Sequence, residues 1–331
     1  MNTPLVSIVI PTFNRPQFLP RAIDSALAAA PDGDCEVIVV PNGPDESWKQ
    51  SLVCWQSDSR VRVSPIETAH GNVARNHGMG LANGKFLRFL DDDDYLLPAA
   101  AKQLELLERD GAEVCSGRLR NMDKDGSNLG RVGFPDTHDF ICAAVSLSGF
   151  TIPACNCFLR NAIVRSRWDP AVHRFQDNAW ILDLTAQREW NWIHLDEDVG
   201  AWLQHDLPRT SSNSRLTARA EPIVRRLIQL DQHLTANSRN TPHRKEAIAQ
   251  SLWYYIHRGF PNHPLYWSNV GLAARKISKT ARPAAPLFSS FPISQVNPLV
   301  AEWLLLPLRA ISQVQRSVQE TRGKQEYRRR L

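Results

Sequence analysis

The strongest constraint on how this chain folds lies in its first third. There, short wholly apolar runs alternate with longer segments that carry one apolar face. Residues 6–10 (VSIVI) read as a buried strand. Phe18, Leu19, Ala22, Ile23, Ala26 and Leu27 then recur at helical spacing. Residues 36–40 (EVIVV) form a second strand, closed by the turn cluster Pro41-Asn42-Gly43-Pro44. A short strand at 60–64, a helix at 72–81 ended by Asn83-Gly84, a strand at 85–90 (KFLRFL), a helix opened by Pro98 and a strand at 113–116 continue the pattern. Strands that are apolar on both faces and alternate with helices imply an α/β fold with a mostly parallel sheet flanked by helices.

Ligands on such sheets bind outside the carboxyl ends of the strands. Three polar clusters fall there: Thr12-Phe13-Asn14-Arg15, Asn42-Gly43, and four consecutive aspartates, Asp91 to Asp94. Two carboxylates about 5 Å apart repel by about 0.8 kcal/mol even at the dielectric of water. A divalent cation relieves that repulsion, and an all-oxygen ligand set favours Mg²⁺ or Mn²⁺ shared with substrate phosphates. A solvated acidic turn before the Pro98 helix is the alternative. No G-x-G-x-x-G or P-loop follows the first strand, which argues against a dinucleotide or Walker-type site.

Residues 119–150 are rich in turn formers and predict loops or a β excursion. Order returns over 151–206, which carries Trp168, Trp180, Trp190, Trp192 and Trp202. After the polar break Thr210-Ser211-Ser212-Asn213-Ser214 the chain reads as mostly helical. The 331 residues hold 39 Lys+Arg against 34 Asp+Glu, a net charge of +5. Residues 300–331 contribute +4 of it, so the remainder is nearly neutral and nucleic acid is not an expected partner. In this tail Val300, Leu304, Leu308, Ile311, Val314 and Val318 recur near helical period beside Arg309, Arg316 and Arg322. That pattern suits an anionic membrane surface, packing on the sheet domain or a dimer contact. A cytoplasmic protein is expected, peripheral on the inner face of the cell membrane if the tail binds lipid. The longest uncharged stretch, 283–301, is broken by Pro286, Pro292 and Pro298, and the apolar run at residues 5–10 is too short for a signal peptide. Six irregularly spaced cysteines read as reduced thiols, and Cys155-Asn156-Cys157 lacks a second pair at zinc spacing.

The segments VSIVIPTFNRP, RAIDSALA, EVIVVPNGPDES and GNVARNHGMGLANGKFLRFLDDDDYLLP, in that order and spacing, resemble the signature of the family 2 glycosyltransferases over about residues 5–206. The resemblance implies a GT-A fold at 1–206, with a donor part to about 118 and an acceptor part from about 119. Residues 207–331 then form a helical extension. It also implies metal-dependent transfer, with inversion, of a sugar from a nucleoside diphosphate donor to a glycan or lipid-linked acceptor in surface polysaccharide synthesis. Under it, Pro11, Thr12, Asn14 and Arg15 line the base and ribose pocket, with Asp91 and Asp92 near the ribose. Asp93 ligates Mn²⁺ or Mg²⁺, and Asp94 supports the loop. Arg75, with Gly71, Asn72 and Asn76, approaches the donor phosphates. Asn42 stands where the family carries an aspartate that can contact the base. Its carbonyl can accept from an imide N–H, but its NH₂ is a donor, which leaves the base open.

Asp177 is the expected general base. It follows Gln176, where the family usually has Glu. An N-cap role before the apolar helix at 179–182 is its structural alternative, and Asp183 is the second candidate. His205 stands in Trp202-Leu203-Gln204-His205, where the family has Tyr-Arg-x-His, and is expected to reach the metal or the diphosphate. The tryptophans serve as an acceptor wall or, more simply, as core. Two other readings stay open: an inactive relative acting as a scaffold, and a sugar-nucleotide nucleotidyltransferase. The second wants a Gly-rich loop with Arg or Lys after the first strand, where this chain has Pro-Thr-Phe-Asn-Arg.

Overall fold

The structure, a computed structural model, describes residues 3–205 and 216–310. Its contacts divide the chain into two units, Met1–Asn213 and Ser214–Leu331. The polar break at 210–214 and the tail beyond 310 lie outside the described residues.

The first unit is organised on one sheet. Its strands are β1 (Val6–Thr12), β2 (Cys35–Pro41), β3 (Val61–Val63), β4 (Phe86–Phe89), β5 (Tyr95–Leu96), β6 (Val114–Met122), β7 (Asn128–Arg131), β8 (Asn156–Leu159) and β9 (Trp192–Leu203). The spatial order is β3-β2-β1-β4-β8-β6-β9-β5, with β7 paired to β6. The helices of this unit are α1 (Leu19–Ala28), α2 (Trp48–Ser51), α3 (Gly71–Leu81), α4 (Ala100–Asp110), α5 (Phe140–Val145), α6 (Arg160–Ile163) and α7 (Gln176–Gln187).

The apolar runs explain the parallel half. Every residue of β1 is buried, and β1 pairs in parallel with β2 on one side and β4 on the other. Two apolar layers cover it. One is formed with Leu19, Ala22, Ile23 and Ala26 of α1 and Leu104 and Leu107 of α4. The other includes Ala74 and Met79 of α3 with Trp168, Trp180 and Leu184. β1 continues through Pro11 to Thr12. Its pairing with β4 ends at Val9, so Pro11 lies beyond the last β4 partner and its missing N–H breaks no rung of that ladder.

The far half is mixed. β8 lies antiparallel between β4 and β6, β9 runs parallel to β6, and β5 pairs antiparallel with β9. The turn-rich 119–150 stretch becomes the β6–β7 hairpin, turned at Gly126 (φ +87°), and α5, whose first turn is capped by Asp139 accepting from Cys142 N–H at 3.0 Å.

The second unit is helical: α8 (Leu216–Ala236), α9 (Pro242–Gly259), α10 (Pro264–Ile277), α11 (Pro286–Ser289) and a helix over 298–310. Thr241 caps α9, accepting from Arg244 N–H at 3.3 Å. At Gly259 a β-carbon would lie 2.2 Å from the Trp267 ring, so α9 and α10 approach closely only because that position is glycine. Among the described residues no helix is long and apolar enough to cross a membrane.

Candidate active site

The carboxyl ends of β1, β2 and β4 bring the three polar clusters together. The backbone after β4 is held to β1 by Leu90 N–H donating to Val9 C=O at 3.0 Å. A turn closed by Asp94 N–H on Asp91 C=O (3.0 Å) then leads directly into β5. The aspartates are therefore a tight strand-to-strand turn. Asp94 Oδ1 accepts from Leu203 N–H at 3.1 Å, which fastens the end of β9 to this turn and sets the approach of His205.

Each aspartate has its own surroundings. Asp92 is fully buried; it accepts from the Thr12 hydroxyl at 2.6 Å and faces Arg15 Nη2 at 2.5 Å. Burial pushes its carboxyl well above the ordinary range, with Arg15 pulling the other way and Asp93 adding to the rise. Asp93 is bonded by Arg15 Nη1 and lies 2.9 Å from His205 Nε2. The His205 ring stacks on Phe18 with centroids 4.8 Å apart. Asp91 takes Arg75 Nη2 at 2.6 Å.

Arg75 is the centre of the other side. Its guanidinium reaches Asp91, Gln176 Oε1 at 3.0 Å and Asn72 Oδ1 at 3.3 Å, and lies 3.8 Å from Asp177 Oδ1. It rests 4.5 Å above the Trp168 ring, which stacks in turn on Trp180 at 4.6 Å. Arg75 thus joins the acidic turn to the start of α7.

Asp177 is not an N-cap. α7 begins at Gln176 after Phe175, which is held in the left-handed region (φ +53°), so Asp177 lies inside the first turn. A bulky residue is disfavoured there, so the surrounding structure imposes this conformation. Asp177 Oδ1 is buried with no hydrogen-bond donor, while 29% of the side chain remains accessible. Burial raises its carboxyl to about 7; Arg75 lowers it, and Asp91 and Asp93 raise it further.

Asn42 donates its backbone N–H and its Nδ2 to the Thr12 carbonyl, at 3.0 and 2.9 Å. That fixes the amide and leaves its carbonyl oxygen as the acceptor. Asn14 has φ +52°, a conformation asparagine tolerates, and its N–H donates to Asp45 Oδ2 at 3.1 Å. Asn76 is turned away from the acidic turn: its Nδ2 donates to Trp168 C=O at 2.7 Å and its Oδ1 accepts from Trp168 N–H at 2.9 Å. Asp183 lies within α7, six residues after Asp177. Trp168, Trp180 and Trp190 are core residues, whereas Trp192 and Trp202 are half-buried.

Some partners had no sequence signal. Phe18 reads as core from its spacing yet backs His205. His70 and His173 meet across 103 positions, Nε2 to Nδ1 at 3.1 Å. His70 Nδ1 accepts from Asn72 N–H, so a neutral His70 donates from Nε2, and burial lowers its pKa accordingly.

Among the described residues, oxygens of Asp91, Asp93 and Asp94 lie within 4.8 Å of one another and form the group able to hold a metal ion. The ligands are all oxygens, which fits a hard divalent cation.

A parallel β1–β4 half with an acidic turn after β4 is the architecture of a GT-A type domain. The model of glycosyl transferase family 2 matches residues 7–165 of the chain. The chain is 38% identical over 104 residues to the uncharacterized glycosyltransferase EpsJ of Bacillus subtilis, covering 30% of this chain and 29% of that protein. It is 26% identical over 188 residues to the GalNAc(5)-diNAcBac-PP-undecaprenol beta-1,3-glucosyltransferase of Campylobacter jejuni, covering 54% of this chain and 59% of that protein. The chain thus matches less than two thirds of either relative's length. Among solved structures, residues 1–349 of S. aureus TarS in complex with UDP-GlcNAc superpose with a TM-score of 0.63 at 16% identity, over 83% of this chain and 82% of that one. This likeness establishes the shared fold.

Proposed function

We propose that this protein transfers a sugar, with inversion, from a nucleoside diphosphate donor to a glycan acceptor carried on a lipid diphosphate. The observation that carries the reading is the pairing of the acidic turn with a second, separately held carboxylate, Asp177, across Arg75. Donor-side and acceptor-side chemistry each need a carboxylate group, and these come from different elements of one pocket. The lipid-linked acceptor is suggested by the name of the Campylobacter relative. On this reading the reaction runs at the inner face of the cell membrane.

Thr12, Asn14 and Arg15 after β1, with Pro11 in the strand, border the donor nucleoside. The Asn42 carbonyl accepts an imide N–H, which suits uracil. Asp91 and Asp92 lie toward the ribose. Asp93, with Asp91 and Asp94 beside it, is suited to hold Mn²⁺ or Mg²⁺, which supplies Lewis-acid neutralisation of the departing diphosphate. His205, supported by Phe18, holds the Asp93 carboxylate in place next to that ion. Arg75 keeps Asp91 and Asp177 apart and compensates their charge.

Asp177 is the base. It takes the proton of the acceptor hydroxyl as that oxygen bonds to the anomeric carbon, while the nucleoside diphosphate departs from the opposite face with the bonding electron pair. A carboxylate raised by burial is a stronger base than one in water, provided the pH leaves it ionised.

The test is a thermal-shift series with UDP and GDP, each with and without Mn²⁺. One nucleotide with Mn²⁺ should stabilise the protein, by about 2.7 kcal/mol at a hundredfold excess over Kd. No shift with either nucleotide, with or without metal, overturns the donor assignment and favours a scaffold.

A further inference from the structure

In the second unit the helix over 298–310 buries one charged side chain and exposes an apolar stripe. On its inward side, beside the buried Pro298 and Ala301, Glu302 is fully buried and bonded to His257 Nδ1 at 2.6 Å and to Arg309. Arg309 also donates to the His257 carbonyl. Its outward side is apolar: Val300, Trp303, Leu304, Pro307 and Leu308 recur at i, i+3, i+4, i+7 and i+8, and all are exposed. Leu304 is 69% accessible.

α10 extends the same surface. The Trp303 Nε1–H donates to Ser268 Oγ at 3.0 Å. Ser268 shares a face of α10 with Leu265 and Leu272, which are 75% and 55% exposed. The indole therefore sits between two exposed leucines, and one apolar surface runs across both helices. A monomer in water rarely shows a contiguous apolar patch of this kind unless something covers it.

Charge identifies the cover. Lys276 follows Leu272 on α10, and Lys279 is exposed just past its end. Residues 311–331 carry Arg316, Arg322, Lys324, Arg328, Arg329 and Arg330 against Glu320 and Glu326. An apolar face bordered by cations, joined to a basic segment, matches an anionic lipid surface, where acyl chains take the leucines and headgroups take the cations.

We propose that the surface formed by Val300, Trp303, Leu304, Leu308, Leu265 and Leu272 docks on an anionic bilayer, with the basic segment that follows residue 310 adding electrostatic attraction. The proposal takes from the proposed function only that the acceptor is lipid-linked. The assay below contains neither donor nor acceptor, so its failure leaves the transfer reaction untouched, and loss of nucleotide binding leaves the membrane surface untouched.

The test is sedimentation of the full chain with vesicles of phosphatidylcholine containing 30 mol% phosphatidylglycerol, on the order of the anionic content that attracts basic segments. Binding is expected to these vesicles and to fall at least tenfold on pure phosphatidylcholine. Leu304→Glu and, on the other helix, Leu265→Glu should each lower it about tenfold while the melting temperature holds, since both side chains are exposed. Replacing Arg328, Arg329 and Arg330 with Gln should lower it and flatten its salt dependence. Absence of binding at low salt overturns the proposal. So does a result in which the leucine variants bind vesicles normally but convert a dimer to a monomer, because the face is then an interface between copies.

Discussion

Arg75 and Asp177 stand 3.8 Å apart without a hydrogen bond between them, although the same guanidinium bonds Asp91 at 2.6 Å and Gln176 at 3.0 Å. The cation is shared unequally. Asp91 takes its direct bond, and Asp177 receives its field. A directly paired Asp177 would be a weak base, and one with no cation nearby would stay protonated near neutrality. The observed spacing leaves it between those limits.

Replacing Arg75 with Met should therefore move the acid limb of the activity profile to higher pH. Arg75 lowers the Asp177 carboxyl, so its loss lets burial and the charges of Asp91 and Asp93 act unopposed. The same change leaves Asp91 unpaired, and removing one partner of a buried ion pair costs about 3–5 kcal/mol. Arg75→Lys, which keeps the charge, should restore much of the limb position. A kcat–pH series for the three proteins, beside their melting curves, checks this; an unmoved limb in the Met variant means that another group sets it.

Asp93→Asn should remove metal-dependent nucleotide binding while the fold survives. The amide can still accept from Arg15 and His205, so the turn keeps its hydrogen bonds, but a charged oxygen is gone from the group of Asp91, Asp93 and Asp94. Calorimetric titration of UDP with and without Mn²⁺ reads the effect. Unchanged metal-dependent affinity would place the ion elsewhere.

The parallel half of the sheet was legible because its strands are apolar on both faces and each ends in a polar cluster. The acidic turn was legible for the same reason: it directly follows the 85–90 run. The antiparallel insertion of β8 was not. Asn156–Leu159 is four residues with no alternation, and its place between β4 and β6 is set by long-range pairing. Arg75 stood out as a cation near phosphate, but apart from Asn72 its polar partners lie 16, 101 and 102 positions away. Local sequence holds no record of contacts that distant. Asp177 was legible as a position but not in its setting, because the bend at Phe175 that places it inside α7 arises from a residue with no turn propensity.

In the helical unit, Gly259→Ala should destabilise without touching the acidic site. The new methyl would sit 2.2 Å from the Trp267 ring, and that ring is fully buried with no room to retreat. Overpacking of this kind costs about 1–3 kcal/mol or more. Thermal melting should show the loss, with nucleotide affinity at 10 °C preserved. A variant as stable as the parent would mean that α9 and α10 separate easily.

Asp177→Asn should leave donor and metal affinity in place and lower kcat by about 10²–10⁴, the usual cost of losing a general base. The amide has nearly the same shape and cannot take the acceptor's proton. The stability readout separates this role from a structural one, and its sign follows from the raised carboxyl. A carboxyl whose folded pKa, about 7 here, lies above its unfolded value burdens the folded state whenever it is ionised. The burden is absent below the unfolded value, grows between the two, and is complete above the folded one. Asn carries no such charge at any pH. The variant should therefore melt like the parent near pH 4 and at the same or a higher temperature at pH 8, measured without metal. Near-normal turnover would move the base to Asp183. A variant that melts lower at pH 8 would show that the ionised carboxylate holds the first turn of α7 together, and that Asp177 is there for the fold.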